Sequence, residues 1–137
     1  MTAFLLSFSR KEEFMFTIEF YRTNTGFSDI EIFLETLLSR IETDKDARIQ
    51  YRQIVRFIQL LEDHGTRLGE EITKHLEGDI WELRPGCNRV LFFYFERNTF
   101  VLLHHFRKTT QKTPRREIER AISEMRDWKT RKAKNYE

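Results

Sequence analysis

Three apolar segments separated by very short turns constrain the fold more than any other feature. Residues 80–84, 89–95 and 100–106 each have the composition of a strand, and only the turns Pro85-Gly86 and Arg97-Asn98 punctuate them. Connections this short join antiparallel neighbours, because a parallel crossover needs a dozen or more residues. The middle segment is almost continuously apolar, as in a strand that is covered on both faces. The sequence therefore predicts an antiparallel meander.

Helical patterns precede this meander. Ser28 stands three residues before Glu31 as a capping box, and apolar residues at helical spacing predict a helix over residues 29–42. A second helix is predicted to start at Asp44 to Asp46 and to end near residue 63, with Gly65 as its terminator. A short connection between two helices predicts an antiparallel hairpin. Apolar and polar residues alternate over residues 16–22, which predicts a half-buried strand. Residues 72–76 are predicted to be a helical turn or a short extended piece.

A last helix follows the meander. Thr113 is the predicted N-cap, with Pro114 at the first helical position and an apolar face that includes Ile118 and Trp128. We therefore expect an α+β fold in one domain, at residues 15–130. Residues 1–14 are predicted to be an N-terminal extension, and residues 131–137 a polar tail that frays.

Cysteine usage and hydropathy exclude several classes of protein. The single Cys87 allows no internal disulfide, and the four histidines have no metal-ligand spacing, so we expect neither a metal nor a cofactor. The apolar run near the N-terminus is too short for a signal peptide or a membrane span. A cytoplasmic protein without a membrane partner is the expectation.

Charge is segregated along the chain. Residues 1–83 contain 10 Lys and Arg against 16 Asp and Glu, whereas residues 84–137 contain 14 against 6, and together they give the net charge of +2. A basic half is typical of a protein that binds a polyanion, although a solvated helix face is an equally good interpretation. Cations that converge beside a sheet could stabilise a pentacoordinate phosphorane, and an RNA 2′-hydroxyl can attack its own 3′-phosphate without a metal.

The sequence offers fewer side chains that could carry a proton in such a reaction than cations that could bind the phosphate. His104 and His105 are adjacent on a predicted strand, so at most one of them can join a surface site. For each histidine alone, a structural role is the more frequent outcome. Tyr21 and Tyr94 remain weak candidates for stacking on bases.

A family resemblance rests on four segments. Residues 80–84, 89–92, 102–106 and 108–121 resemble the phage-derived HigB-like group of the RelE/ParE toxin superfamily, and the likeness runs from about Met15 to Trp128. The Lys-x-x-Gln-Lys-Thr-Pro segment of residues 108–114, followed by an amphipathic helix, is its most specific part. The resemblance implies a RelE-like fold, in which an N-terminal strand and a helical hairpin pack on a small antiparallel sheet with a C-terminal helix.

The resemblance also implies a function. It indicates the toxin of a type II toxin–antitoxin pair, an endoribonuclease that cleaves mRNA on the ribosome and is neutralised by a helix-turn-helix antitoxin of the HigA type. The catalytic positions that it implies are Arg84, Arg89, Lys108, Lys112 and His105. Contacts to RNA are expected from Arg107, Gln111, Arg115 and Arg116.

Two alternatives stay open. One keeps the fold but makes the chain a gyrase poison of the ParE type, and the concentration of basic residues around the loop disfavours it. The other is a non-catalytic module that binds a nucleic acid or a protein partner.

Overall fold

The computed structural model describes residues 15–135. The predicted extension and the last two residues of the predicted tail lie outside this range. The elements in chain order are β1 (Thr17–Phe20), α1 (Asp29–Leu38), α2 (Lys45–His64), β2 (Thr73–Glu77), β3 (Ile80–Leu83), β4 (Asn88–Tyr94), β5 (Thr99–Arg107) and α3 (Arg115–Asn135). The α+β prediction is confirmed.

The five strands form one mixed sheet in the order β1-β5-β4-β3-β2. Strands β2 to β5 pair antiparallel with their chain neighbours, so the predicted meander is confirmed. Strand β1 instead pairs parallel to β5, with Thr17 opposite Thr99. Residues 72–76 were predicted to be a helical turn or a short extended piece, and most of them form the edge strand β2. Its position opposite β3 gives its backbone groups a ladder that a single helical turn would lack.

The sheet separates two apolar clusters. On one face the α1–α2 hairpin packs through residues such as Leu34, Ile54 and Ile58 against Phe92 and Leu102. On the other face α3 packs its own apolar stripe against the sheet, which contributes Ile80, Leu91, Phe93, Val101 and Leu103. Both faces of the central strand β4 are thus covered, as its continuous apolar run predicts.

Helix α1 ends earlier than expected, at Leu38 instead of residue 42. The amide of Ser39 donates to the carbonyls of Glu35 and Leu37, and the amides of Arg40 and Ile41 donate to carbonyls three residues back. Bonds of this kind tighten the last turn and reverse the chain toward α2. Ile41 keeps helical spacing in the sequence but lies in this turn.

Helix α3 also differs from expectation at both ends. The carbonyl of Pro114 accepts from the amides of Glu117 and Ile118, so Pro114 is the N-cap residue instead of Thr113. The Thr113 hydroxyl donates to Glu82. The helix continues to Asn135, through most of the tail that was expected to fray. Arg131 forms an ion pair with Asp127, one helical turn earlier. The basic residues of the last turn interact favourably with the negative end of the helix dipole.

A β-bulge in β5 decides where the two adjacent histidines point. Leu91 pairs with His104 and Phe92 with Leu102, so Leu103 has no partner opposite it in β4. Leu103 and His104 therefore both lie on the α3 face, and His105 lies on the hairpin face.

Candidate functional site

Several of the expected site residues converge on a pocket between the meander and the start of α3. Its volume is about 200 Å³. It lies on the α3 face of the sheet, beside the edge formed by β2 and β3. The residues that line it are Lys74, His75, Leu76, Glu82, Arg84, Gln111, Lys112, Thr113 and Ile118.

Glu82 lies at the base of this pocket and organises it. Its side chain is 3% exposed, and its Oε2 lies 3.4 Å from Nε of Arg84 and 3.9 Å from Nε of Arg89. Its other oxygen accepts a hydrogen bond of 2.5 Å from the Thr113 hydroxyl. One carboxylate thus neutralises two nearby guanidinium groups without a hydrogen bond to Nε of Arg84, and it holds the loop that leads into α3.

The two arginines beside Glu82 differ in access. Arg84 follows β3 directly, its side chain is 21% exposed, and its Nη1 donates to the carbonyl of Glu70 at 2.8 Å. Arg89 is buried, and its Nη1 donates to the carbonyls of Gly86 and Asn88, each at 2.8 Å. Burial lowers the pKa of Arg89, although the charge of Glu82 acts in the opposite direction. Only Arg84 can reach a ligand in the pocket, whereas Arg89 supports Glu82 from behind.

Further cations face the pocket from opposite sides. Lys74 lies opposite Glu82 on β2, and Lys112 lies on the loop before α3, next to Gln111. No carboxylate among residues 15–135 forms an ion pair with either lysine. Arg84, Lys74 and Lys112 thus surround one small volume, and two of these three were expected from the sequence. Lys74 was missed because it precedes the basic half of the chain.

A second, more open pocket of about 550 Å³ adjoins the first and shares Leu76, Lys112, Thr113 and Ile118 with it. Arg115 lies on its wall and forms an exposed ion pair with Glu77 of β2. The hydrogen bond from Arg115 lowers the pKa of Glu77. Arg115 therefore lies at the rim of the site, consistent with a contact to the backbone of a longer ligand.

His105 is not brought into this site. Its Nδ1 lies 2.5 Å from Oδ1 of Asp29, and its ring stacks on Phe33 of α1 with centroids 3.8 Å apart. Burial alone would raise the pKa of Asp29, but the hydrogen bonds and charge of His105, with Arg120 beyond, lower it. The ring thus holds α1 to β5 on the hairpin face, away from the cationic pocket.

His104 is fully buried on the other face. Its Nδ1 lies 2.6 Å from Glu124 and its Nε2 lies 3.0 Å from Glu117, so it ties β5 to α3. An imidazole donates to two carboxylates at once only when both of its nitrogens are protonated. Neither adjacent histidine therefore lines the pocket.

Arg107, Lys108 and Arg116 lie outside both pocket linings. The amide of Lys108 donates to the carbonyl of Cys87 at 2.8 Å, which fixes the loop to the turn between β3 and β4. Arg107 and Arg116 are exposed. These three side chains surround the loop without entering the pocket.

His75 also belongs to the pocket lining, but it lies opposite Trp81 on the neighbouring strand, so its ring is on the hairpin side of the sheet with Trp81. Its Nε2 lies 2.7 Å from the carbonyl oxygen of Gly78, and its ring meets the edge of Trp81 at 5.3 Å. A carbonyl only accepts, so Nε2 carries the proton and Nδ1 of the neutral ring is an acceptor. The signal that could have found Glu82 is a charged residue within an apolar strand pattern.

Among residues 15–135 no three His, Cys, Asp or Glu side chains are grouped as metal ligands, and no helix has the length and apolarity of a membrane span. Residues 42–126 match the family model described as Phage derived protein Gp49-like (DUF891). No curated protein is significantly similar to the chain. The match covers α2, the meander, the loop and most of α3, and so includes every residue of the pocket.

Proposed function

The chain belongs to the Gp49-like family of phage-derived proteins, and we propose that it is the toxin of a type II toxin–antitoxin pair, a HigB-like member of the RelE/ParE superfamily. We propose further that it is an endoribonuclease that cleaves mRNA on the ribosome. The observation that carries this proposal is the pocket in which Arg84, Lys74 and Lys112 surround a volume sized for one phosphate group and its ribose.

The reaction that this pocket supports is attack by a 2′-hydroxyl on the neighbouring phosphate. The 2′-oxygen forms a bond to phosphorus, the bond from phosphorus to the 5′-oxygen breaks, and the products are a 2′,3′-cyclic phosphate and a free 5′-hydroxyl. A base takes the 2′-hydroxyl proton and an acid supplies one to the departing oxygen. Cations stabilise the charge that builds on the phosphorane between these events.

The side chains of the pocket can fill most of these roles. Arg84 and Lys112 hold the phosphate oxygens, and Glu82 orients Arg84 through the contact of 3.4 Å. The proton of the 2′-hydroxyl passes to solvent water, because no imidazole ring among the described residues faces the pocket. The ammonium group of Lys74 is the proton donor, opposite Glu82 on the neighbouring strand.

Basic residues around the loop, all exposed except the half-buried Lys108, extend the surface for a longer RNA. Arg107, Lys108, Arg115 and Arg116 contact the backbone on either side of the scissile phosphate, and Gln111 contacts it from the pocket wall. The ribosome presents the message as an accessible single strand. A helix-turn-helix antitoxin neutralises the toxin by covering this basic surface.

The experiment is induced expression in bacteria with 5′-end mapping of cellular mRNA. Wild type, Lys112→Ala and the control Arg52→Ala are compared at equal protein level, since Arg52 is an exposed cation on α2 behind the sheet. Removing one donor to a developing oxyanion slows such reactions by about 100- to 1,000-fold. We expect new cuts in translated messages with wild type and Arg52→Ala, and almost none with Lys112→Ala.

Other outcomes would reject the proposal. Growth arrest with intact mRNA and a DNA damage response would indicate a gyrase poison. RNA binding without cleavage on purified ribosomes would indicate a non-catalytic module.

A further inference from the structure

A second basic site lies at the opposite end of α3. It is a pocket of about 380 Å³ between the last turns of that helix and the residues around the end of β1. Its volume falls within the range of small-ligand and side-chain pockets. The side chains that define it are Glu19, Arg22, Trp128, Arg131, Lys132 and Lys134. This cradle, as we call it, is separated from the first pocket by about 20 Å along α3, at 1.5 Å per residue.

The charges of the cradle are only partly balanced. Arg22 pairs with Glu31 at 2.7 Å, and Arg131 pairs with Asp127 at 2.7 Å and donates to the carbonyl of Arg22. Lys132 lies over the ring of Trp128, with its Nζ 4.6 Å from the centroid. No carboxylate among the described residues pairs with Lys132 or Lys134. Two cations at the mouth of the cradle are therefore available to an anionic ligand.

Trp128 carries an unpaired donor beside the cradle. The residue is only 8% exposed, yet its indole Nε1 has no hydrogen-bond acceptor among the described residues. A buried indole N–H normally finds an acceptor, since leaving it unpaired costs about 1–3 kcal/mol. Nε of Arg131, on the next turn of the helix, is likewise buried and without an acceptor. Both nitrogens are buried, so the groups that a ligand in the cradle can meet are the two free ammonium groups.

We propose that the cradle binds an acidic peptide segment of a protein partner, one that carries a large apolar side chain beside its carboxylates. The carboxylates meet Lys132 and Lys134, while the apolar side chain packs on the exposed part of the Trp128 ring. The carboxylate of Glu19 at the rim opposes a continuous phosphate backbone but leaves room for separate carboxylates. This binding is independent of the proposed nuclease reaction.

The test is the binding of a fluorescein-labelled peptide of sequence Glu-Asp-Leu-Phe-Glu-Asp-Glu to the full chain, followed by fluorescence anisotropy. The site variant is Lys132→Glu/Lys134→Glu. The control variant, Arg52→Glu/Arg56→Glu, makes the same change of net charge on the exposed face of α2. Loss of two surface charge contacts weakens binding by about tenfold. We expect this loss in the site variant and little change in the control.

A ¹⁵N spectrum locates the peptide. The chain has two indole N–H groups, and that of Trp81 lies on the hairpin side of the sheet as an internal reference. We expect the Trp128 signal to move on titration while the Trp81 signal stays, and we expect Trp128→Phe, which keeps an aromatic ring, to weaken binding several-fold. Amide-for-carboxylate and serine-for-apolar peptides should both bind more weakly.

Three results would overturn the proposal. One is equal loss of peptide binding in both charge variants, which would indicate non-specific attraction. Another is a labelled heptauridylate that moves the Trp128 signal at lower concentration than the peptide, which would make the cradle a nucleic-acid site. The third is the absence of any shift of the Trp128 signal at saturating peptide.

Discussion

Replacing Glu82 by glutamine tests the role of the buried carboxylate beneath the cationic pocket. The Gln side chain keeps an oxygen that can accept from Thr113, but it removes the negative charge between Arg84 and Arg89. Arg89 then remains a buried guanidinium with only carbonyl partners. We therefore expect Glu82→Gln to destabilise the fold through uncompensated charge, with no cavity to add to the effect.

The magnitude follows from the burial of the group. Breaking a buried ion pair by removing one partner costs about 3–5 kcal/mol. Arg84 is partly exposed and regains water, and the hydrogen bond to Thr113 survives, so we expect the lower end of this range, about 3 kcal/mol. With a urea slope of about 1–3 kcal/mol per M, the unfolding midpoint falls by roughly 1–3 M.

Glu77→Gln is the matched control. Glu77 also pairs with an arginine, Arg115, but both side chains are largely exposed, 44% and 58% respectively. Exposed pairs contribute little to stability, so the urea midpoint of this variant should stay close to that of wild type. If Glu82→Gln and Glu77→Gln shift the midpoint equally, the carboxylate of Glu82 does not compensate the buried arginine and the argument for its organising role fails.

Three further predictions concern stability. Burial, aided by the hydrogen bond to Asp127, raises the pKa of Tyr21 to about 12, so the stabilisation that it gives is complete below pH 10 and is lost as the pH rises toward 12. Urea unfolding at pH 8 and pH 11 should show wild type losing stability between these values and Tyr21→Phe losing less. The pKa of Asp29 shifts in the opposite direction. Burial alone would raise it, but the hydrogen bonds and charge of His105 outweigh burial and lower it. The stabilisation that Asp29 gives is therefore present above about pH 4 and is lost on acidification. The stability gap between wild type and Asp29→Asn should accordingly close as the pH falls below 4, and a gap that is constant from pH 7 to pH 3 would contradict this. Gly65→Ala should lower the free energy of unfolding by about 1–3 kcal/mol, and the melting temperature with it. The φ angle of Gly65 is +64°, and a Cβ at this position would lie 2.9 Å from the ring of Phe16.

The meander and the helices were predictable from local patterns, because tight turns and helical periodicity involve only neighbouring residues. The pairing of β1 was not, since Thr17 meets Thr99 across most of the chain and the strand's alternation fits either edge of a sheet. Strand β2 was left undecided between a helical turn and a strand, because an edge strand of mixed polar residues has little periodicity. The end of α1 was placed too late for the converse reason: Ile41 keeps helical spacing inside a tightened turn.

The candidate site was predictable only in part. Arg84 and Lys112 were expected, and the structure places both on one pocket. His105 was expected as a catalytic residue, but the bulge at Leu103 shifts the alternation of β5 and turns His105 toward α1. A bulge of this kind leaves no mark in a single sequence. Lys74 was overlooked because its place opposite Glu82 depends on the pairing of β2 with β3.

The parallel pairing of β1 with β5 has a consequence for the timing of synthesis. A strand near the start of the chain has no partner until residues 99–102 have been made, and a bacterial ribosome adds about 5–20 residues per second. For several seconds the sheet that carries Glu82 and Arg84 therefore lacks its edge strand β1. Until residue 115 is passed, it also lacks helix α3, which closes the pocket. A nascent copy of this protein consequently cannot assemble its basic pocket until residues 111–118, which complete the pocket lining, have been translated.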